Sequence, residues 1–149
     1  MKRFHIHISV EDLYKNIEFY SQVFNAKPSV VKDDYAKWAL DDPALNFAIS
    51  TRGNKAGLDH VGIQTDSDKE LANMQEHLEA AGIKGIAQEN TTCCYTRSDK
   101  YWVQDPQGIA WETFHSLESV PVFSDQELSA LSKSACCAPG LPESNSRCC

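Results

Sequence analysis

The sequence predicts an α+β fold made of two tandem βαβββ modules whose sheets curl around a shared cavity. A strand-like segment led by a histidine occurs twice, at residues 5–10 and 60–65, and each copy runs into a helical pattern. Several short strand-like runs follow each helical pattern. An Asp-Pro turn precedes the last run in both halves, at Asp42-Pro43 and Asp105-Pro106. A unit that occurs twice in this way indicates an internal repeat.

In the first module, residues 1–51, the alternating first strand turns into a helix. Ser9 and Asp12 lie three residues apart and resemble a helix-capping box, and the segment 25–28 ends the helix. Apolar residues recur at helical spacing and predict one buried face, formed by Leu13, Ile17, Tyr20 and Phe24. Three further strands are predicted at 29–32, 35–40 and 45–51.

The second module, residues 58–116, repeats this order after a linker at 51–58. Ser67 and Glu70 form a capping box, and Gly82 ends the helix. The helical stripe consists of Leu71, Met74, Leu78 and Ala81. Three strands are predicted at 84–88, 101–104 and 109–115. The two modules make one domain, 1–116, and the Ser-, Pro- and Cys-rich segment 117–149 is interpreted as a mobile tail with one short helix at 124–133.

Composition narrows the classes of function. The chain has 149 residues, a formal net charge of −7 and 42% hydrophobic residues, which is enough apolar material for a packed core. The negative net charge argues against nucleic-acid binding and against a polybasic membrane anchor. No apolar run approaches the length that crosses a bilayer, and the N-terminus does not resemble a signal peptide. We therefore expect a cytoplasmic protein with reduced thiols.

All six cysteines occur in adjacent pairs, at positions 93–94, 136–137 and 148–149. Neighbouring Cα atoms are ~3.8 Å apart, whereas ordinary disulfides need roughly 4.4–6.8 Å, so a bridge within a pair would be strained. Two adjacent reduced thiols suit a soft, thiophilic atom. No physical argument brings Cys136, Cys137, Cys148 or Cys149 to an active site, and their role stays open.

Strand alternation predicts where a metal would bind. His5 and His60 lie on the strand faces opposite the predicted helices, and Glu112 lies in the last strand. If the two sheets curl toward each other, these three side chains converge as a set of metal ligands. His7 shares a face with His5 and is interpreted as a residue next to the site. His77 is expected in solvent, and His115 is expected to be structural.

The two histidine-led strands, together with Asp105-Pro106-Gln107-Gly108 and Trp111-Glu112-Thr113-Phe114, resemble the vicinal oxygen chelate superfamily. This superfamily includes glyoxalase I, extradiol dioxygenases and fosfomycin resistance enzymes. The resemblance covers roughly residues 1–116. It implies a glyoxalase-like pair of βαβββ modules around a divalent metal held by His5, His60 and Glu112.

The element Thr91-Thr92-Cys93-Cys94-Tyr95, with segments 34–38, 45–47 and 99–103, is similar to one subfamily. That subfamily contains the bacterial organoarsenical carbon–arsenic lyases and the cadmium-induced proteins. The resemblance implies that Cys93 and Cys94 bind arsenic, and the presence of His5 favours the lyase branch. Cys93 and Cys94 must then lie in a loop or turn, because adjacent side chains of a regular strand point to opposite faces.

The resulting hypothesis is an Fe(II)-dependent, dioxygenase-type lyase that converts trivalent organoarsenicals such as methylarsenite to arsenite. Its partners would be the arsenical and dioxygen, and the chain would act as a monomer or homodimer. Nickel, zinc, cobalt or manganese are the other metals considered for a purified form. Two alternatives stay open. One is thiol-based sequestration of arsenite, cadmium or another soft ion. The other is a nickel or zinc isomerase, which residues 45–48 disfavour because they offer no carboxylate as a fourth ligand.

Overall fold

The computed structural model describes residues 1–53 and 55–124 and confirms the predicted order of elements. Within these residues each module contributes one helix and four strands, in the order strand, helix, three strands. The elements are β1 (Arg3–Ser9), α1 (Leu13–Val23), β2 (Val30–Lys32), β3 (Tyr35–Asp41), β4 (Ala44–Ser50), β5 (Gly57–Thr65), α2 (Asp68–Ala80), β6 (Ile86–Cys93), β7 (Thr96–Gln104) and β8 (Ala110–Ser119).

The strands form one mixed, curled sheet in the order β2-β3-β4-β1-β5-β8-β7-β6, so the glyoxalase-like fold is confirmed. The two modules meet where β1 pairs with β5 in antiparallel orientation. Within each module the first strand pairs with the last in parallel orientation, β1 with β4 and β5 with β8. The middle of the sheet therefore brings together β4, β1, β5 and β8, the strands that begin and end the modules.

The main apolar core lies between α1 and one face of the first module's strands. Trp38, Phe47 and Ile49 are buried there, and Ile6 and Ile8 of β1 pack against the same cluster. Alternation along β1 sends His5 and His7 to the opposite face, where both are also buried. The predicted division of β1 into a helix-packing face and a histidine face is thus confirmed.

The helix caps agree with the prediction in only one module. Ser67 caps α2, accepting a hydrogen bond from the backbone N–H of Glu70, and the left-handed Gly82 (φ +78°) follows its end. In the first module the predicted box of Ser9 with Asp12 is wrong. Asp12 itself is the N-cap, accepting from the backbone N–H of Lys15 at 3.0 Å. Ser9 still belongs to β1, and its hydroxyl donates to Asp59 instead.

The second module's strands extend beyond the predicted segments. β6 and β7 form a long hairpin that pairs as far as Cys93 and Thr96, whereas the sequence predicted strands only at 84–88 and 101–104. Residues 89–100 are mostly polar, so they lack the apolar alternation on which a strand prediction depends. β8 likewise continues to Ser119, past the predicted end at 115.

After β8 the chain returns over the tip of the β6–β7 hairpin. The Val120 N–H donates to the Tyr95 carbonyl at 2.9 Å, Ser124 bridges to Cys93, and Phe123 is buried. The predicted helix at 124–133 and the four tail cysteines lie outside the described residues, apart from Ser124. The division into a domain at 1–116 and a mobile tail stays a prediction. Neither helix of the described chain has the length and apolarity that crossing a bilayer requires.

Candidate metal centre and thiol cleft

Three side chains from the centre of the sheet converge on one point. His5 of β1, His60 of β5 and Glu112 of β8 are all buried. The two Nε2 atoms are 3.1 Å apart, and Oε2 of Glu112 lies 3.6 Å from that of His5 and 3.5 Å from that of His60. The structure therefore brings together the three residues that the sequence singled out, one from the first module and two from the second.

These distances fit a metal ion. Ligand atoms at ~2.1 Å from a metal lie roughly 3.0 Å apart at a right angle and roughly 3.4 Å apart at a tetrahedral angle. The three observed separations, 3.1, 3.5 and 3.6 Å, match those edges. Two imidazoles and one carboxylate on one side of a metal are the donor set of non-haem Fe(II) oxygenases, and they leave the other side open.

The Nδ1 atom of each imidazole donates a hydrogen bond to a neighbouring oxygen. Nδ1 of His5 donates to the Asn46 carbonyl at 3.0 Å, and Nδ1 of His60 donates to Asp59 Oδ1 at 2.7 Å. In the neutral rings each Nε2 then carries a lone pair, and the two lone pairs face each other. Such an arrangement is stable only with a shared proton or a cation between them, and it is the orientation that metal-binding histidines adopt.

A β-bulge aims the Asp59 carboxylate at its neighbour's ring. His7 pairs with His60, but the next residue of β1, Ile8, pairs with Leu58, so Asp59 is an extra residue in β5. In a regular strand Asp59 and His60 would point to opposite faces, whereas a bulge re-aims one of the two side chains. The bulge therefore provides the acceptor that fixes the orientation of His60.

A glycine sets the position of Glu112. Gly62 pairs with Glu112 between β5 and β8, and a Cβ atom at Gly62 would lie 1.8 Å from the Glu112 carbonyl oxygen. Any larger residue at this position would push β8 away from β5. The close approach of the two backbones keeps the carboxylate within reach of His5 and His60.

The environment separates the protonation states of the three groups. Burial and the neighbouring His60 lower the pKa of His5 to about 4. Burial also acts to lower the pKa of His60, but hydrogen bonds to Asp59 and Glu112 outweigh it and raise that pKa. For Glu112 burial works against ionisation, yet the Lys100 charge and the bond from His60 hold its pKa well below the usual range. At neutral pH the site thus offers a carboxylate and an unprotonated His5.

Cys93 and Cys94 occupy the tip of the β6–β7 hairpin. Cys93 is the last residue of β6, and Cys94 begins the turn with Tyr95, both turn residues having positive φ (55° and 61°). The sharp turn brings the two sulfurs to 3.2 Å from each other. The geometric condition stated from the sequence is met, since the pair does not lie within a regular strand.

The triad and the sulfurs of Cys93 and Cys94 line the same cleft, which offers about 410 Å³ of space including the part that is open to solvent. Phe114 packs edge-on against the His5 ring, with centroids 5.1 Å apart. The remaining lining residues include Tyr35, Lys37, Asn46, Ala48, Thr96, Ser98, Lys100 and Ser116. Tyr35 lines the cleft, whereas Trp38 belongs to the core under α1.

The other histidines have separate surroundings. His7 Nε2 lies 2.9 Å from Ser50 Oγ, and burial lowers the pKa of His7 to about 3. His7, Asp59 and His60 form a second group with metal-ligand spacing, but it shares His60 with the first, and neither His7 nor Asp59 lines the cleft. His77 is exposed on α2, and His115 Nδ1 lies 3.3 Å from the Thr65 carbonyl, away from the site.

Two residues of the site were missed by the sequence analysis. Asp59 depends on the bulge, for which the sequence carries no clear signal. Lys100, which contacts Glu112, lies one residue before the strand predicted at 101–104 and was not assigned to a face. The contacts of Asp59 and Lys100 with the site can be predicted only when the strand register is known.

Comparisons with known proteins agree with the fold. Residues 2–113 match the family model described as the Glyoxalase/Bleomycin resistance protein/Dioxygenase superfamily. The trivalent organoarsenical cleaving enzyme of Bacillus sp. (strain MD1) is 39% identical, covering 100% of this chain and 99% of its own length. The cadmium-induced protein CadI of Mycobacterium tuberculosis is 34% identical, covering 83% and 82%. Among solved structures, the 2,3-dioxygenase LapB from Pseudomonas sp. KL28 superposes with a TM-score of 0.60 at 20% identity, over 79% of this chain and 42% of that one.

Proposed function

This chain belongs to the glyoxalase/bleomycin resistance protein/dioxygenase superfamily, and from that premise we propose that it is an Fe(II)-dependent, dioxygenase-type carbon–arsenic lyase. Its substrates are trivalent organoarsenicals such as methylarsenite, and its product is arsenite. Relatives named trivalent organoarsenical cleaving enzymes, at 32–39% identity, support this assignment. The metal ligands are His5, His60 and Glu112, and the substrate ligands are Cys93 and Cys94.

One observation carries the proposal: a pair of convergent sulfurs opens into the same cleft as a two-histidine, one-carboxylate triad. Trivalent methylarsenic has two exchangeable positions and a high affinity for thiolates, so adjacent cysteines hold it by the arsenic atom. Its methyl group is then left to project into the cleft. The triad alone would indicate only a metal site, and the two sulfurs alone would indicate only binding of a soft ion. Together they fit a reaction on a carbon atom bound to arsenic.

The protein's own contribution is binding and orientation. A bound ferrous ion supplies the position at which dioxygen is activated. Cys93 and Cys94 fix the arsenic, so that the carbon–arsenic bond is presented to the triad side of the cleft, and such positioning lowers the entropic part of the barrier. Phe114 and Tyr35 line the cleft with apolar surface. The reaction balances without an external reductant, because one methylarsenite and one dioxygen yield one arsenite and one formaldehyde.

Anaerobic reconstitution tests the proposed activity. The protein is loaded with Fe(II) in the absence of oxygen, given methylarsenite, and then exposed to air, after which arsenic species and formaldehyde are quantified. We expect arsenite and formaldehyde in equal amounts, and neither species in the sample kept anaerobic. Intact ferrous protein that produces no arsenite in air would disprove the lyase assignment.

Sequestration of a soft ion is the second candidate, and relatives named cadmium-induced protein CadI favour it. A sequestering protein needs only the thiols, so its arsenical would be recovered unchanged after the same experiment. A glyoxalase-like isomerase is disfavoured because β4 presents the amide of Asn46, not a carboxylate, to the cleft.

Asp59 gives a prediction about metal affinity. The variant Asp59→Asn keeps an acceptor for His60 Nδ1 but removes the negative charge that stabilises the imidazole as a ligand. Residues that orient a metal ligand typically contribute ~10–100-fold in affinity, and we expect a loss of this size in Fe(II) or Co(II) titrations.

The matched control is Asp41→Asn, which neutralises an exposed carboxylate at the end of β3 that pairs with Arg3. It should bind the metal as the wild type does. Equal metal affinity of the Asp59→Asn and wild-type proteins would contradict the role given to Asp59.

A further inference from the structure

Lys100 is a buried cation whose only charged contact among the described residues is with Glu112. Its Nζ lies 2.5 Å from Glu112 Oε1, and the two side chains are 5% and 4% exposed. It extends from β7, where Trp102 is the partner of Glu112, so neighbouring strands hold both ends of the ion pair. A buried lysine requires such a partner, because an unpaired charge is expensive to bury.

The two oxygens of Glu112 face different groups. Oε1 accepts from Lys100, while Oε2 is the oxygen that lies 3.6 and 3.5 Å from the two histidine nitrogens. A carboxylate without such a partner can bind a metal through one oxygen or through both. Here an ammonium group occupies the second oxygen, and a metal next to Oε1 would meet the Lys100 charge.

We infer that Lys100 is a positioning residue that restricts Glu112 to coordination through Oε2 alone. The inference rests on the proposed metal site and deepens it. One-oxygen coordination by Glu112 would leave a further position on a bound metal available to a small exogenous molecule. Lys100 lines the cleft, and the inference gives it a role through its contact with the Glu112 carboxylate.

Nitric oxide is a suitable probe because it binds Fe(II) where dioxygen does, and because it carries no charge. The loss of a cleft cation therefore does not change its affinity through simple electrostatic attraction. The variant Lys100→Met keeps most of the length of the side chain but frees Oε1. With Glu112 able to bind through both oxygens, we expect nitric oxide affinity to fall on the order of tenfold, measured by anaerobic titration and the EPR spectrum of the nitrosyl adduct.

Fe(II) affinity separates positioning from a structural role. In Lys100→Met it should not fall, since Glu112 gains a coordinating oxygen, whereas a general loosening of the site would weaken both metal and nitric oxide binding. Lys100→Arg, which restores a cation beside Oε1, should recover nitric oxide affinity to within about threefold of the wild type. Lys37→Met is the matched control, since it removes another lysine from the cleft wall but leaves the pair with Glu112 intact.

Unchanged nitric oxide affinity in Lys100→Met, or a parallel fall in Fe(II) affinity, would overturn the inference while leaving the proposed function intact. If the methionine variant does not fold, Lys100→Leu carries the same test, because its apolar side chain neither donates to Oε1 nor repels a metal from it. A wild-type protein that binds no Fe(II) would overturn both the inference and the proposed function.

Discussion

Replacing Cys94 with serine is expected to abolish carbon–arsenic cleavage while Fe(II) binding stays at the wild-type level. Serine preserves the size of the side chain and the turn, but an alcohol does not replace a thiolate as a ligand for trivalent arsenic. Without the second sulfur the substrate is no longer held by two bonds, and its methyl group is no longer oriented toward the triad. A loss of roughly 10³-fold or more in turnover is expected from lost positioning of this kind.

The measurement has two parts. Arsenic speciation after aerobic incubation reports cleavage, and an anaerobic Fe(II) titration reports the metal site. If Cys94→Ser lost iron together with activity, the thiols would be contributing to the metal site. The proposal that the cysteines bind only the arsenical and the triad binds only the metal would then be wrong. Full activity of the variant would show that arsenic is held elsewhere.

The second large effect is expected from His60→Ala. His60 supplies one of the three donor atoms and is held in place by Asp59, so its removal leaves only two ligands. Metal affinity should fall by at least ~100-fold, more than for the loss of an orienting residue, and cleavage should become undetectable at micromolar iron. Binding of methylarsenite by the thiols should persist, as measured by protection of the cysteines from alkylation.

His77→Ala is the matched control, because it removes an exposed histidine from α2, away from the sheet. It should behave as the wild type in both assays. Together, Cys94→Ser and His60→Ala should dissociate the two functions: one variant keeps iron and loses the arsenical, the other keeps the arsenical and loses iron. Equal loss of both ligands in either variant would be inconsistent with separate half-sites.

The sequence was sufficient to predict the repeated modules and the convergence of His5, His60 and Glu112. These predictions depend on periodicity and on the equivalence of two modules, which short windows of sequence record directly. The pairings of Lys100 with Glu112 and Asp59 with His60 depend instead on strand register and on a bulge between β1 and β5. Register is decided by contacts across the whole sheet, so a local pattern does not contain it.

The hairpin that carries the thiols shows the same limit. The residues from Glu89 to Lys100 are mostly polar and lack the apolar alternation that predicts a strand. Only the requirement that two adjacent sulfurs meet indicated a turn at Cys94. The return of the chain over this turn, with Phe123 buried against it, had no local signal in the sequence. Long-range packing of a segment predicted to be mobile is a tertiary effect.

The turn at the tip of this hairpin also bears on evolution and engineering. Cys94 and Tyr95 both adopt left-handed backbone conformations, for which asparagine and glycine are the favoured residues in a two-residue hairpin. A non-glycine residue held there costs ~1–3 kcal/mol, and the bond from the Tyr95 hydroxyl to Asp34 offsets part of that. A search for thermostable variants would thus favour Asn-Gly at these positions and would select a more stable protein without the Cys94 sulfur that is proposed to bind arsenic. If the proposed function holds, stability and activity compete at this turn, and a library design should keep both residues fixed.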